Sequence, residues 1–114
     1  SGIAGIYYTW ERYEEAAELH RAMLDIRLAT LPPEHRLVSE LRRDLGATYI
    51  QLDRLEEAET LLLTALENLQ LDRENDDVRI QSTAWHLIDL YHAMDQPERA
   101  EPYEAIYTGD NRIE

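Results

Sequence analysis

The side chains that could carry out metal or nucleophile chemistry are few and scattered along the chain. His86 and His92 are six residues apart, a spacing that points them to different sides of a helix. His20 falls at a core position of its segment. This arrangement does not match the ligand spacing of a zinc site, so we expect no metal ion. The chain has no cysteine, and therefore no thiol nucleophile and no disulfide.

Carboxylates are abundant, because 24 of the 114 residues are Asp or Glu. No motif sets two of them apart in apolar surroundings, which general acid–base catalysis would require. The sequence also lacks a glycine-rich phosphate loop, a nucleophile elbow and a histidine–glutamate zinc helix. We therefore expect a protein that is not an enzyme and that holds no cofactor.

Trp85 and His92 are seven residues apart and share one face of a helix. They could flank a ligand pocket, since aromatic side chains anchor many interfaces, or they could simply pack at the surface. The spacing alone leaves both interpretations open.

The charge balance narrows the class of partner. Eleven basic residues against 24 acidic ones give a net charge of -13. The negative electrostatic potential that results repels the phosphates of a nucleic acid and the surface of an anionic membrane. Protein, peptide or cationic partners remain.

Targeting signals are not apparent in the sequence. The first residues lack the basic and apolar stretches of a signal peptide, so we expect none, and no apolar run approaches the about 18 residues that could cross a membrane. The lack of cysteine fits a reducing compartment, so we expect a cytoplasmic protein. The start Ser1-Gly2-Ile3 without a methionine is typical of a tag remnant or of an excised fragment. We also expect that the chain is a piece of a larger bacterial protein.

The candidate residues are positioned by a tandem repeat. Tyr49 and Tyr91 are 42 residues apart, and Ala58 and Ala100 keep the same interval, with Tyr7 and Ala16 as their first copies. A length of 114 residues accommodates about three such units.

Each unit reads as a pair of helices. Apolar residues recur in steps of three and four along two stripes, which is typical of amphipathic helices. The first stripe is Val38, Leu41, Leu45, Tyr49 and Leu52, and the second is Leu55, Ala58, Leu62, Ala65, Leu66 and Leu69. The pattern predicts a partial helix at 3–10 and helices at 12–30, 35–52, 54–71, 77–94 and 97–107.

The ends of these helices carry recognisable signals. Asp53 with Glu56, and Asp95 with Glu98, have the spacing of N-terminal capping pairs. Pro102 should bend or end the last helix. The resulting organisation is one helical domain over 1–114, with a partial repeat at 1–30, a complete repeat at 35–71 and a repeat at 77–108.

The middle unit resembles a tetratricopeptide repeat. The residues that carry the resemblance are Leu45-Gly46-x-x-Tyr49 in the first helix and Ala58, Leu62 and Ala65 in the second. The period of 42 is similar to the long variant found in kinesin light chains and bacterial signalling proteins. The resemblance implies an all-α fold in which antiparallel helical hairpins stack as a short right-handed superhelix.

The family resemblance also implies a binding site. In this family the first helices of successive hairpins line a concave groove that binds a peptide or a helix of a partner protein. Projected onto this sequence, that face comprises Tyr8, Glu40, Arg43, Ala47, Ile50, Trp85, Asp89 and His92. Only Arg43 among them is basic, which disfavours the lysine and asparagine clamp of the family's chaperone-binding members.

Two other functions stay open beside peptide binding. Exposed terminal hairpins could pair between chains and make a homo-oligomer. Alternatively, the chain could be the ligand-sensing segment of a bacterial regulator.

Overall fold

The computed structural model describes the backbone of residues 2–109 and the side chains of residues 9–109. The described chain is all-helical, as predicted from the sequence. The helices are α1 (Gly2–Thr30), α2 (Arg36–Gln51), α3 (Leu55–Leu69), α4 (Val78–Ala93) and α5 (Glu101–Ile106), with a 3-10 turn at Pro97–Ala100 before α5. No helix within residues 2–109 combines the length and the apolar sequence that crossing a lipid bilayer requires.

The helices pack in chain order as a stack of hairpins. α2 and α3 form the middle hairpin, and α4 pairs with the 3-10 turn and α5 to form the last one. α1 packs on α2, and α3 joins the two hairpins by packing on α4. Both predicted apolar stripes face the core, since Val38, Leu45, Leu62 and Leu69 are at most 1% exposed.

In the middle hairpin, α3 approaches α2 most closely at Gly46. A methyl group at this position would lie 2.8 Å from Cγ of Leu62 and 3.4 Å from the carbonyl oxygen of Ala58. The missing side chain therefore lets α3 settle against α2, and the fully buried Ala58 and Ala65 keep the same crossing narrow.

The turn between the two helices of a hairpin depends on a left-handed aspartate. Asp53 has φ 61° and Asp95 has φ 60°, and aspartate tolerates this region better than most residues. After Asp53, the backbone N–H of Arg54 donates to the carbonyl of Tyr49 at 2.9 Å, while the N–H of Asp53 donates to Ile50. The same pair of bonds recurs around Asp95. This is the Schellman pattern that closes a helix C-terminus.

The predicted capping pairs are therefore wrong. The residues that precede α3 and the 3-10 turn are Arg54 and Gln96, and neither caps its helix with a side chain. The two aspartates act one step earlier, by ending the preceding helix. Side-chain caps occur instead at the first helix of each hairpin. At the start of α2, His35 Nδ1 accepts from the N–H of Leu37. At the start of α4, Asp77 Oδ1 accepts from the N–H of Arg79.

The predicted break near residue 11 is also wrong, because α1 runs unbroken over 29 residues. Glu11 occupies the place of Asp53 and Asp95 in the first unit. Glutamate is a good helix former and rarely takes a positive φ, so the helix continues through this position.

The prediction for the last helix was closer to the structure. Pro102 lies in the first turn of α5, and the predicted helix 97–107 is divided just before it.

A repeated tyrosine ties each hairpin to its neighbour. The hydroxyl of Tyr91 on α4 donates to Glu59 of α3 at 2.7 Å, and Arg99 also binds Glu59 while its guanidinium lies 4.6 Å from the ring of Tyr91. Burial raises the pKa of the Tyr91 phenol, and the bond to Glu59 raises it further. In the preceding unit, Arg21 of α1 donates to the hydroxyl of Tyr49.

The left-handed turn leads to a test on Asp53. We expect Asp53→Gly to be at least as stable as the wild type, because glycine adopts a positive φ without strain. Asp53→Val should lose about 1–2 kcal/mol of unfolding free energy, since a β-branched residue is strained there. Urea unfolding followed by circular dichroism measures both.

The matched control is Asp76→Val, at an exposed loop aspartate whose φ is not positive. We expect its change to stay within about 0.5 kcal/mol. Equal losses for the valine variants at 53 and 76 would contradict the role assigned to the turn.

Candidate functional site

The candidate site is a groove between the first helices of the two hairpins, where residues of α1, α2 and α4 line one cavity. Its cavity has a volume of about 280 Å³. We call it the α2–α4 groove, and its lining residues are Tyr13, Ala47, Thr48, Gln51, Trp85, His86 and Asp89.

Helical spacing places the lining residues. Trp85 and Asp89 are one turn apart on α4, and Ala47 and Gln51 are one turn apart on α2, so each pair points the same way. Ala47 is small and leaves room in front of the indole of Trp85. That indole is 45% exposed and meets the ring of His86 edge-on, with centroids 5.4 Å apart.

His86 forms a neutral wall of the groove. Burial lowers the pKa of its imidazole below the ordinary value of 6.5, and the positive charge of Arg43 lowers it further. The charges of Asp89 and Asp44 act in the opposite direction but do not outweigh these effects. The ring is therefore uncharged at neutral pH.

The arginines beside the groove are already matched by carboxylates. Arg43 donates from Nε and Nη2 to one oxygen of Asp44, at 3.1 and 3.0 Å. Arg79 of α4 donates to Glu40 of α2 at 2.6 Å. Burial opposes ionisation of Glu40, but the hydrogen bonds and charges of Arg79 and Arg36 together outweigh it and lower the pKa of that carboxyl.

Asp89 differs from these acids because it makes no hydrogen bond or ion pair with any residue that the structure describes. It lines the groove at a half-buried position. The groove therefore presents one unmatched negative charge beside an exposed indole.

The structure brings together three of the eight residues assigned to the concave face from the sequence, Ala47, Trp85 and Asp89. Glu40 lines a separate cleft of about 180 Å³ against α1, and Ile50 packs against the core. His92 is exposed and approaches Glu104 of α5 at 3.9 Å.

The remaining two of the eight residues are Arg43 and Tyr8. Arg43 is half-buried in its pair with Asp44 and does not line the groove. The side chain of Tyr8 lies outside the described residues.

Four groove residues were missed by the sequence analysis: Tyr13, Thr48, Gln51 and His86. Gln51 follows Ala47 by one helical turn, so extending the predicted face by one turn would have found it. Tyr13 belongs to α1, and only the packing of α1 on α2 brings it to the rim.

A larger depression of about 600 Å³ lies at the hairpin turns. It is open to solvent and is lined by Asp53, Arg54, Leu55, Glu56, Glu57, Met94 and Gln96. Arg54 is already bound to Glu57 at 2.7 Å. No group of three His, Asp or Glu side chains in the described part of the chain is placed to hold a metal ion.

Comparison with known proteins gives one match. A family model described as tetratricopeptide repeat matches residues 1–70, which is more than half of the chain. Neither the curated proteins nor the solved structures yield a match.

The half-buried imidazole of His86 makes stability depend on pH. A lowered pKa in the folded state means that the unfolded chain takes up a proton more readily. The neutral imidazole therefore contributes its full stabilisation above the pKa of the unfolded chain, near 6.5. That stabilisation is lost as the pH falls through the lowered pKa of the folded state. We expect His86→Gln to lose less stability than the wild type between pH 7.5 and about 5 in urea titrations.

The control for this titration is His92→Gln, whose imidazole is exposed. Its loss of free energy over the same pH range is compared with those of the wild type and of His86→Gln. The assignment to His86 fails if His86→Gln and the wild type lose the same free energy over that range.

Proposed function

The chain belongs to the tetratricopeptide repeat family, and we propose that it is a non-enzymatic interaction module that binds a peptide or helix of a partner protein in the α2–α4 groove. The repeats of this family generally mediate protein–protein interaction. What remains specific to this chain is where the partner binds.

The observation that supports the groove is the exposure of Trp85. A tryptophan that is 45% exposed leaves a large apolar surface in contact with water, and partially exposed tryptophans are frequent anchors of interfaces. Around it, Ala47 and Thr48 provide a shallow floor, and Gln51 and Asp89 provide polar groups at the edge. This is the mixture of an apolar centre and a polar rim that binding surfaces use.

We also propose that the chain belongs to the long variant of the family, similar to the repeats of kinesin light chains and bacterial signalling proteins. The 42-residue interval supports this assignment. Tyr49 and Tyr91 are at most 2% exposed, and Ala58 and Ala100 are fully buried, so both pairs occupy equivalent places in their hairpins.

A matched pair of tryptophan variants tests the groove. Random peptides displayed on phage are selected on the wild-type protein, and the selected peptides are measured against Trp85→Ala and Trp10→Ala. Trp10 is the matched control, because it is 43% exposed but lies on α1 outside the groove.

We expect Trp85→Ala to weaken the selected peptides by at least about 30-fold, corresponding to a hot spot of about 2 kcal/mol. Trp10→Ala should leave them unchanged, and both variants should melt close to the wild type since both indoles are largely exposed. Peptides that bind Trp85→Ala as tightly as the wild type would place the binding site elsewhere.

Self-association is a second candidate function, and the apolar face of α1 favours it. Leu19, Met23 and Ile26 follow one another in helical steps of four and three and are 60%, 37% and 66% exposed. Ala65, which aligns with Met23 at the repeat interval, is fully buried in the middle hairpin. On α1 the face at Met23 is exposed instead.

Light scattering at dilute and high concentration tests self-association. If the α1 face pairs between chains, the mass should rise with concentration, and the double variant Leu19→Arg/Ile26→Arg should stay monomeric. Leu71→Arg is the control, because Leu71 is 69% exposed in the connection between α3 and α4. A monomeric wild type at every concentration would exclude this function.

A further inference from the structure

We propose that the α2–α4 groove selects partners that carry a cationic side chain, an arginine or a lysine, which lies against the indole of Trp85 and pairs with the carboxylate of Asp89. The inference rests on the proposed function, because it names the chemistry of the segment that binds there.

The free carboxylate of Asp89 is the first argument. Each of the nearby carboxylates Asp44 and Glu40 already binds an arginine of this chain. Asp89 has no such partner among the described residues, although it lines the cavity. A half-buried carboxylate is stabilised by a cation that completes its hydrogen bonds.

The exposed indole of Trp85 is the second argument. The face of tryptophan attracts a guanidinium or an ammonium more strongly than the face of any other side chain. Trp85 and Asp89 are one helical turn apart on α4, so a single bound side chain can contact both. Tyr13 adds a second aromatic residue at the rim.

The state of the nearby basic groups excludes an anionic partner. The guanidinium of Arg43 is occupied by Asp44, and that of Arg79 by Glu40. His86 is uncharged at neutral pH because burial lowers its pKa. An acidic peptide would therefore meet no free positive charge in the groove and would be repelled by Asp89.

The size of the cavity indicates a side chain rather than a free metabolite. At about 280 Å³ it lies just below the range of about 300–1,000 Å³ in which drug-sized ligands bind. The net charge of -13 also favours the approach of a basic segment from solution.

The experiment uses the full chain and the peptides selected on it. We expect arginine or lysine to be enriched at one position of those peptides. The best peptide is then synthesised with arginine and with its neutral analogue citrulline at that position, and both are titrated by calorimetry. The citrulline peptide should bind the wild type about tenfold more weakly, as expected for loss of one charge-assisted contact.

Two variants complete a double-mutant cycle. With Asp89→Asn the preference for arginine over citrulline should fall from about tenfold to about threefold or less, because the carboxylate is gone and only the face of Trp85 still distinguishes the two side chains. Asp76→Asn removes a loop carboxylate outside the groove and should preserve the tenfold preference. In a separate selection, Asp89→Arg should enrich acidic residues at the position where the wild type enriches basic ones.

The outcomes separate this inference from the function on which it rests. Selected peptides that depend on Trp85 but show no basic preference would overturn the cationic pocket and leave the groove as a binding site. Selected peptides that ignore Trp85, or a selection that yields no peptide, would overturn both. A tenfold preference for arginine that persists undiminished in Asp89→Asn would overturn the pairing with Asp89.

Discussion

The architecture depends on whether one residue per repeat can adopt a left-handed backbone conformation. Where that residue is aspartate, at 53 and 95, the helix ends with two backbone hydrogen bonds and the chain folds back as a hairpin. Where it is Glu11, the helix continues, and α1 becomes a single rod of 29 residues. Along this rod the apolar side chains of Leu19, Met23 and Ile26 are exposed.

Two kinds of contact hold the helices of the stack together: close packing within a hairpin and a hydrogen bond between hairpins. Within the middle hairpin, Gly46 admits Leu62 at a distance that any larger residue would obstruct, so the crossing is set by the smallest side chain present. Between hairpins, Tyr91 and Glu59 join α4 to α3 through a part-buried hydrogen bond. Together these contacts fix the distance between α2 and α4, and with it the width of the groove.

The electrostatics of the groove follow from pairing inside the chain. An excess of acidic residues suggests a uniformly negative surface, but most arginines near the groove are bound to a carboxylate and contribute no free charge. In the groove a partner would therefore contact the residues outside these ion pairs, namely Asp89 beside Trp85 and the neutral imidazole of His86. The interaction proposed for this protein is therefore set by one unmatched group more than by the total charge.

The sequence alone determined the helical class, the 42-residue repeat and most of the core, because helical periodicity and small residues at crossings are local signals. It also pointed to Trp85 and Asp89, whose spacing on one helix is visible in the chain. It misjudged Asp53 and Glu11, because the signals for starting a helix and for ending one overlap at a turn. Only the tertiary structure could decide that Arg79 of α4 is held by Glu40 of α2, that His92 faces α5 and that Tyr13 reaches the groove. These outcomes depend on which side chains meet across separate helices, and residue spacing within one helix carries no information about that.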